Sequence, residues 1–171
     1  MLRLGDEAPA FTLPDTDGAE HPFPEGPTVV VFTCNHCPYA IAWHERLLAA
    51  AREYRDVRFV FVNPNDADRY PADSPEAMRE RLRDEGAWPG PYLHDESQEV
   101  ARAYGARTTP DVFVLDGEGR LRYRGAPDGD HRDPSADAAW LREALDALGE
   151  GREPELAETD PVGCSVKWKP S

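Results

Sequence analysis

The sequence predicts an α/β fold: a central sheet, parallel in its middle, with helices on both faces. Two observations predict it. Apolar runs of strand length at 29–32, 57–62 and 112–115 alternate with segments of helical period. The first of these runs is apolar at every position, as a strand buried on both faces must be.

Taken in order, Phe11-Thr12-Leu13 and His21-Pro22-Phe23 flank Asp17-Gly18, which gives a short N-terminal hairpin. Val29 to Phe32 is the first buried strand. From Tyr39 the pattern turns helical, with Ile41, Leu47, Leu48, Ala51 and Tyr54 on one broad face. After the strand at 57–62 comes a polar loop over 66–73. Ser74-Pro75-Glu76 then supplies an N-cap, a first-turn proline and an acid matched to the helix dipole. That helix should end near Asp84 or Glu85, before Gly86. A brief strand at 92–94 precedes a short helix at 98–104. Val112 to Leu115 and Leu121 to Tyr123 flank Asp116-Gly117-Glu118-Gly119 and form an antiparallel hairpin. Leu141, Ala144, Leu145 and Leu148 mark the buried face of a last helix. Residues 1–150 therefore read as one domain, and residues 151–171 as a Pro- and Glu-rich tail carrying Cys164.

Composition bounds the function. A chain of 171 residues with 40% hydrophobic residues is long enough for one sizeable core without covalent staples. Three cysteines are too few, and odd in number, for a secreted disulfide scaffold. The first residues hold no apolar run of signal or anchor length, so the expected setting is a reducing cytoplasm with no membrane contact. A net charge of −14 repels phosphates and anionic lipid, which argues against nucleic acid as a partner.

The chemistry is expected at Cys34-Asn35-His36-Cys37, between a strand and a helix. In a sheet of this kind, sites lie outside the C-terminal ends of strands. A helix N-terminus stabilises a thiolate, and His36 would lower the pKa of Cys34 further. The expected division of labour makes Cys34 the exposed nucleophile and Cys37 the resolving thiol. Pro38, lacking an N–H, loses little in a first helical turn.

These residues resemble the thioredoxin fold, in its branch of peroxiredoxin-like redoxins related to alkyl hydroperoxide reductase and thiol-specific antioxidant proteins. Gly5-Asp6-Glu7-Ala8-Pro9-Ala10-Phe11-Thr12-Leu13 followed by Asp17-Gly18 is similar to that branch's opening. Thr109-Pro110-Asp111 resembles the cis-proline segment that faces the redox pair. Asn63-Pro64-Asn65-Asp66, Asp73-Ser74-Pro75-Glu76 and Gly163-Cys164-Ser165-Val166-Lys167-Trp168 resemble a peroxiredoxin-like subgroup. The resemblance covers residues 3–148 and implies a thioredoxin-like fold, a central mixed sheet flanked by helices with an N-terminal hairpin extension. It also implies a redox disulfide between Cys34 and Cys37, with Thr109 and Pro110 at the site, and thiol, disulfide or peroxide partners without a cofactor. Three departures matter. Thr33 precedes the pair where thioredoxins have Trp, and Asn-His replaces Gly-Pro within it. Val31 stands three before Cys34, where peroxiredoxins place a Thr.

The function expected is thiol–disulfide oxidoreduction. The alternatives are a peroxiredoxin-like thiol peroxidase and a Cu(I)-binding metallochaperone of the same fold, since soft thiolates with an imidazole suit Cu(I). The chaperones' cysteine spacing and anchor are not met. A zinc site would need two ligands beyond Cys34 and Cys37, and neither a second Cys-x-x-Cys nor a His pair exists, so no metal is expected. Cys164 lies near Lys167 and Lys169, the only lysines, which would favour a thiolate and a role as second resolving thiol. His44 is expected to pack within its helix, Arg107 to be solvated, and Asn63, Asn65 and Asp66 to shape a turn at a strand end.

Overall fold

Strand β3 (Thr28–Phe32) is buried along its whole length, and its side chains divide between two cores. Val29 and Val31 face one, with Phe59, Phe61, Val112 and Val114 from neighbouring strands. Val30 and Phe32 face the other, with Val60, Val62, Phe113 and Leu115. Side chains alternate across a strand, so only an uninterrupted apolar run can serve two cores. The computed structural model that shows this describes residues 2–171.

In chain order the elements are β1 (Phe11–Pro14), β2 (Glu20–Phe23), β3, α1 (Pro38–Glu53), β4 (Arg58–Asn63), α2 (Pro75–Glu85), β5 (Tyr92–His94), α3 (Glu99–Tyr104), β6 (Thr108–Thr109), β7 (Asp111–Leu115), β8 (Leu121–Gly125), α4 (Ala139–Gly149) and β9 (Cys164–Ser165). The main sheet has the order β5-β4-β3-β7-β8. β3, β4 and β5 are parallel, while β7 joins β3 antiparallel and β8 joins β7 antiparallel. The parallel part is therefore one half of the sheet rather than its middle, with β3 at the change of direction.

Helices α1 and α4 cover one face through Trp43, Leu47, Leu141 and Leu145. Helix α3 and the β1–β2 hairpin cover the other through Val100, Tyr104, Leu13 and Phe23. The hairpin is a separate two-stranded sheet. The start of α2 matches the expected cap: the Ser74 hydroxyl accepts from Ala77 N, and Pro75 opens the helix. Ile41 departs from expectation. It is 53% exposed, because the core-facing stripe of α1 runs through Trp43, Leu47 and Ala50 instead.

Two short strands have no signature in the sequence. β9, in the tail, pairs antiparallel with β6, with Ser165 opposite Thr108 and Cys164 opposite Thr109. The tail is bound beyond that pair. Val166 N donates to Arg107 O, Gln98 Nε2 to Lys167 O at 2.9 Å, and Arg69 Nη2 to Trp168 O at 2.7 Å. The Trp168 ring lies against Arg102, whose guanidinium carbon is 4.4 Å from the ring centroid.

Phe61 is 1% exposed and meets Trp88 edge-on at 5.3 Å between centroids. Phe61→Ala should cost about 3–5 kcal/mol through lost burial and the cavity left behind. Urea denaturation would read this as a lower midpoint at unchanged slope.

Candidate redox site

The loop between β3 and α1 places both cysteines. Thr33 N donates to Val62 O, which carries the chain past the end of β3, and α1 begins only at Pro38, with Cys37 as its N-cap. Among the expected site residues, the structure brings Cys34, His36, Cys37, Thr109, Pro110 and Cys164 together. The Thr109–Pro110 peptide is cis. Thr109 meets both sulfurs: its Oγ1 lies 3.3 Å from Cys34 Sγ, and its carbonyl accepts from Cys37 Sγ at 3.2 Å. Cys164, directly opposite Thr109, joins the cluster of Cys34, Cys37 and Ala40. All three cysteines are free thiols. Gly163 is needed for this approach, because a Cβ there would collide with the Thr109 carbonyl.

Residues to which the sequence assigned no role at the site hold the loop. Asp73, fully buried, accepts from Asn35 N at 2.6 Å, Asn63 Nδ2 at 3.2 Å and Asn65 Nδ2 at 3.0 Å. The Asn35 side chain is fixed as well. Its Oδ1 accepts from Tyr92 OH at 2.7 Å and Arg81 Nη1 at 3.0 Å, and its Nδ2 donates to Ala72 O at 2.9 Å. Asn63 and Asn65 thus position Asp73 as well as shape a turn. Their place just after a strand end was the available hint; Asp73 entered only through the resembling Asp73-Ser74-Pro75-Glu76 segment, and nothing local pointed to Arg81 or Tyr92. His36 stacks on Tyr70 at 5.6 Å and lies against Asp73 Oδ2. The donor atoms of Cys34, His36 and Asp73 lie within 4.8 Å of one another, so this trio is also the group that could hold a metal.

Three expectations are corrected. Cys34 is not exposed; both it and Cys37 are fully buried, shielded by the tail strand. The helix starts after Cys37, so its dipole acts most directly on Cys37 rather than Cys34. The charges follow that arrangement. The hydrogen bond to Cys37, burial and the charge of Asp73 all push the Cys34 thiol up. The bond from Cys34 pulls Cys37 down against its own desolvation, with help from Cys164. The pair therefore shares its protons as a unit. Third, the lysines do not make Cys164 a thiolate. Burial and then Cys37 push it up to about 11, with Lys167 opposing only weakly.

The residues expected to play other parts lie apart from the sulfurs. His44 Nε2 donates to Glu85 Oε1 at 2.7 Å, and the ring packs on Trp88. The exposed Arg107 uses its backbone N to reach Asp111 Oδ2. Val31 is committed to the core. No helix among the described residues is long and apolar enough to cross a membrane.

A mixed sheet flanked by helices, with a Cys-x-x-Cys at the end of β3 facing a cis-proline segment, defines the thioredoxin-fold redoxins. The AhpC/TSA family model matches residues 4–124, and the chain belongs to that family. It is 40% identical to an uncharacterized conserved protein from Geobacillus kaustophilus whose crystal structure superposes with a TM-score of 0.92, covering 100% of this chain and 95% of that one. A hypothetical protein from Sinorhizobium meliloti is 33% identical, with a TM-score of 0.91 and coverage of 100% and 97%. A putative thiol:disulfide interchange protein DsbE from Chlorobium tepidum shares the fold at 22% identity and a TM-score of 0.63, covering 87% and 100%. No curated protein matches the chain.

If the pair holds one charge at rest, thiolate ultraviolet absorbance of the reduced protein should be present at neutral pH and vanish on acidification below the ordinary thiol range. The sign follows from a depressed pKa: the anion persists below the ordinary thiol range and is lost only when pH falls through the lowered value. Cys34→Ser and Cys37→Ser should each weaken the band at neutral pH, whereas Cys164→Ser should leave most of it.

Proposed function

We propose that this protein is a thiol–disulfide oxidoreductase whose Cys34 and Cys37 pass between dithiol and disulfide. The observation that carries the reading is the contact of both sulfurs with Thr109, the residue before the cis-proline. A thiolate attacks one sulfur of an incoming disulfide and expels the other as thiolate. The second cysteine then attacks the mixed bond, releases the reduced partner and closes the intramolecular disulfide. Two electrons pass to the partner, and no cofactor is required. In this scheme Cys34 attacks and Cys37 resolves: the Thr109 hydroxyl can donate to a Cys34 thiolate, whereas Cys37 donates its own S–H to the Thr109 carbonyl. Protein and small-molecule disulfides are the partners this chemistry serves.

A thiol peroxidase is the second reading, favoured by membership of the AhpC/TSA family. Against it, the position three before Cys34 is Val31, whose side chain lies in the core and offers no hydroxyl to a peroxide. Copper delivery is weaker still, because the third donor beside Cys34 and His36 is a carboxylate, a poor ligand for Cu(I).

The test presents dithiol-reduced protein with hydrogen peroxide, an alkyl hydroperoxide and a protein disulfide. The protein disulfide should be reduced fastest, with one intramolecular bond formed. Rates tenfold higher with either peroxide would establish the peroxidase reading instead. At limiting alkylating reagent, peptide mapping should find Cys34 modified before Cys37; prior modification of Cys37 would establish the opposite order.

Cys164 has the place of a second resolving thiol, next to Cys37 rather than Cys34. In a Cys34→Ser variant, mild oxidation followed by non-reducing peptide mapping should show a Cys37–Cys164 bridge. Intermolecular dimers or sulfenic acid alone would make the tail cysteine a bystander.

A further inference from the structure

The loop that carries the redox pair has a feature that disulfide exchange does not use. Asp73 Oδ1 already accepts two N–H bonds, from Asn35 and Asn63, whereas Oδ2 accepts only one, from Asn65. The remaining side of Oδ2 faces His36 Nδ1. That nitrogen is buried and in ion-pair contact with Asp73, though not in the geometry of a hydrogen bond, and it has no other polar partner. Cys34 Sγ completes the group, and the three donor atoms lie within 4.8 Å of one another. Ligands around a tetrahedral zinc ion stand about 3.3–3.7 Å apart, given bonds of about 2.0–2.3 Å. The trio is therefore within a small side-chain adjustment of a metal's reach.

From this geometry we propose that Cys34, His36 and Asp73 bind a divalent cation of the zinc class in the reduced protein. The donor set selects the class. One thiolate, one imidazole and one carboxylate suit a borderline ion such as Zn²⁺; Mg²⁺ and Ca²⁺ reject the sulfur, and Cu(I) rejects the carboxylate. The charge is also balanced, because a thiolate and a carboxylate together neutralise a divalent ion in a buried place.

Second-sphere support is already built. The backbone N–H of Asn35 and the side-chain amides of Asn63 and Asn65 orient the carboxylate, and the Tyr70 ring stacks on the imidazole at an interplanar angle of 6°. Three protein donors leave one position open, as in zinc sites that admit water or a substrate. Because Cys34 belongs to the redox pair in the reading proposed above, metal and disulfide compete for one sulfur. When a partner disulfide accepts two electrons from the pair, it leaves as two thiols, the Cys34–Cys37 bond forms, and the ion is released.

The probes are Zn²⁺ and Co²⁺ alone. Reduced protein, its three thiols verified by titration, is mixed with Zn²⁺ against a chromophoric chelator, and with Co²⁺ in a spectrophotometer. The expected result is one ion per chain and a sulfur-to-cobalt charge-transfer band. His36→Ala and Asp73→Asn should each weaken Zn²⁺ at least about tenfold, and the protein with the Cys34–Cys37 disulfide should not bind. His36 is partly exposed, so its variant keeps the test valid if Asp73→Asn fails to fold. Absence of binding to the reduced wild type, binding without the cobalt–sulfur band, or full affinity in His36→Ala would each overturn the proposal. Disulfide formation by metal-free protein is followed separately, so failure of the redox reading is distinguishable from failure of this one.

Discussion

A single buried carboxylate holds the site in place. Asp73 comes from the short helical turn before α2 and is fully buried, yet three nitrogens from two different segments converge on it. A buried carboxyl group without such partners would cost several kcal/mol, so the chain must supply them or not fold this way. Asn63 and Asn65 do so from the end of β4, and Asn35 does so from inside the cysteine loop. The loop conformation, the aim of His36 and the charge beside Cys34 all follow from where this group sits.

Thr109 is the complementary fixed point on the opposite side. Its hydroxyl serves one sulfur and its carbonyl the other, while its backbone pairs with the tail at Cys164. A residue that touches all three cysteines couples the redox pair to the last segment of the chain. The tail is bound by a ladder pair, several side-chain hydrogen bonds and the Trp168 ring, so Cys164 is held beside Cys37 instead of visiting it. An anchored thiol loses less entropy on forming a bond than one on a free tail. Burial of Cys34 and Cys37 is the consequence of the same packing.

Most of the scaffold was legible from local chemistry. Two-faced burial required the unbroken apolar run at β3. Ser74-Pro75 fixed the start of α2, and the Asp-Gly turns located both hairpins. Ile41 shows the limit of periodicity: an apolar residue on a plausible face of α1 was left in solvent because the neighbouring elements did not reach it. The exposed-thiolate expectation at Cys34 failed for a related reason. Spacing placed a helix after the cysteines but could not say whether it began before or after Cys37, and that boundary decides which sulfur the helix dipole serves.

By itself, then, the sequence determined the α/β order, the Cys34–Cys37 pair at a strand's end, and the branch of the thioredoxin fold to which the chain belongs. These depend on residue type and short-range spacing, which are written in the chain. Only the tertiary structure decided which charges and donors surround that pair: Asp73 beside Cys34 and His36, Thr109 against both sulfurs, and Cys164 opposite Thr109. Those neighbours lie tens to more than a hundred residues away along the chain. No local propensity encodes such contacts; they arise when the sheet and its crossovers bring distant loops to the same edge.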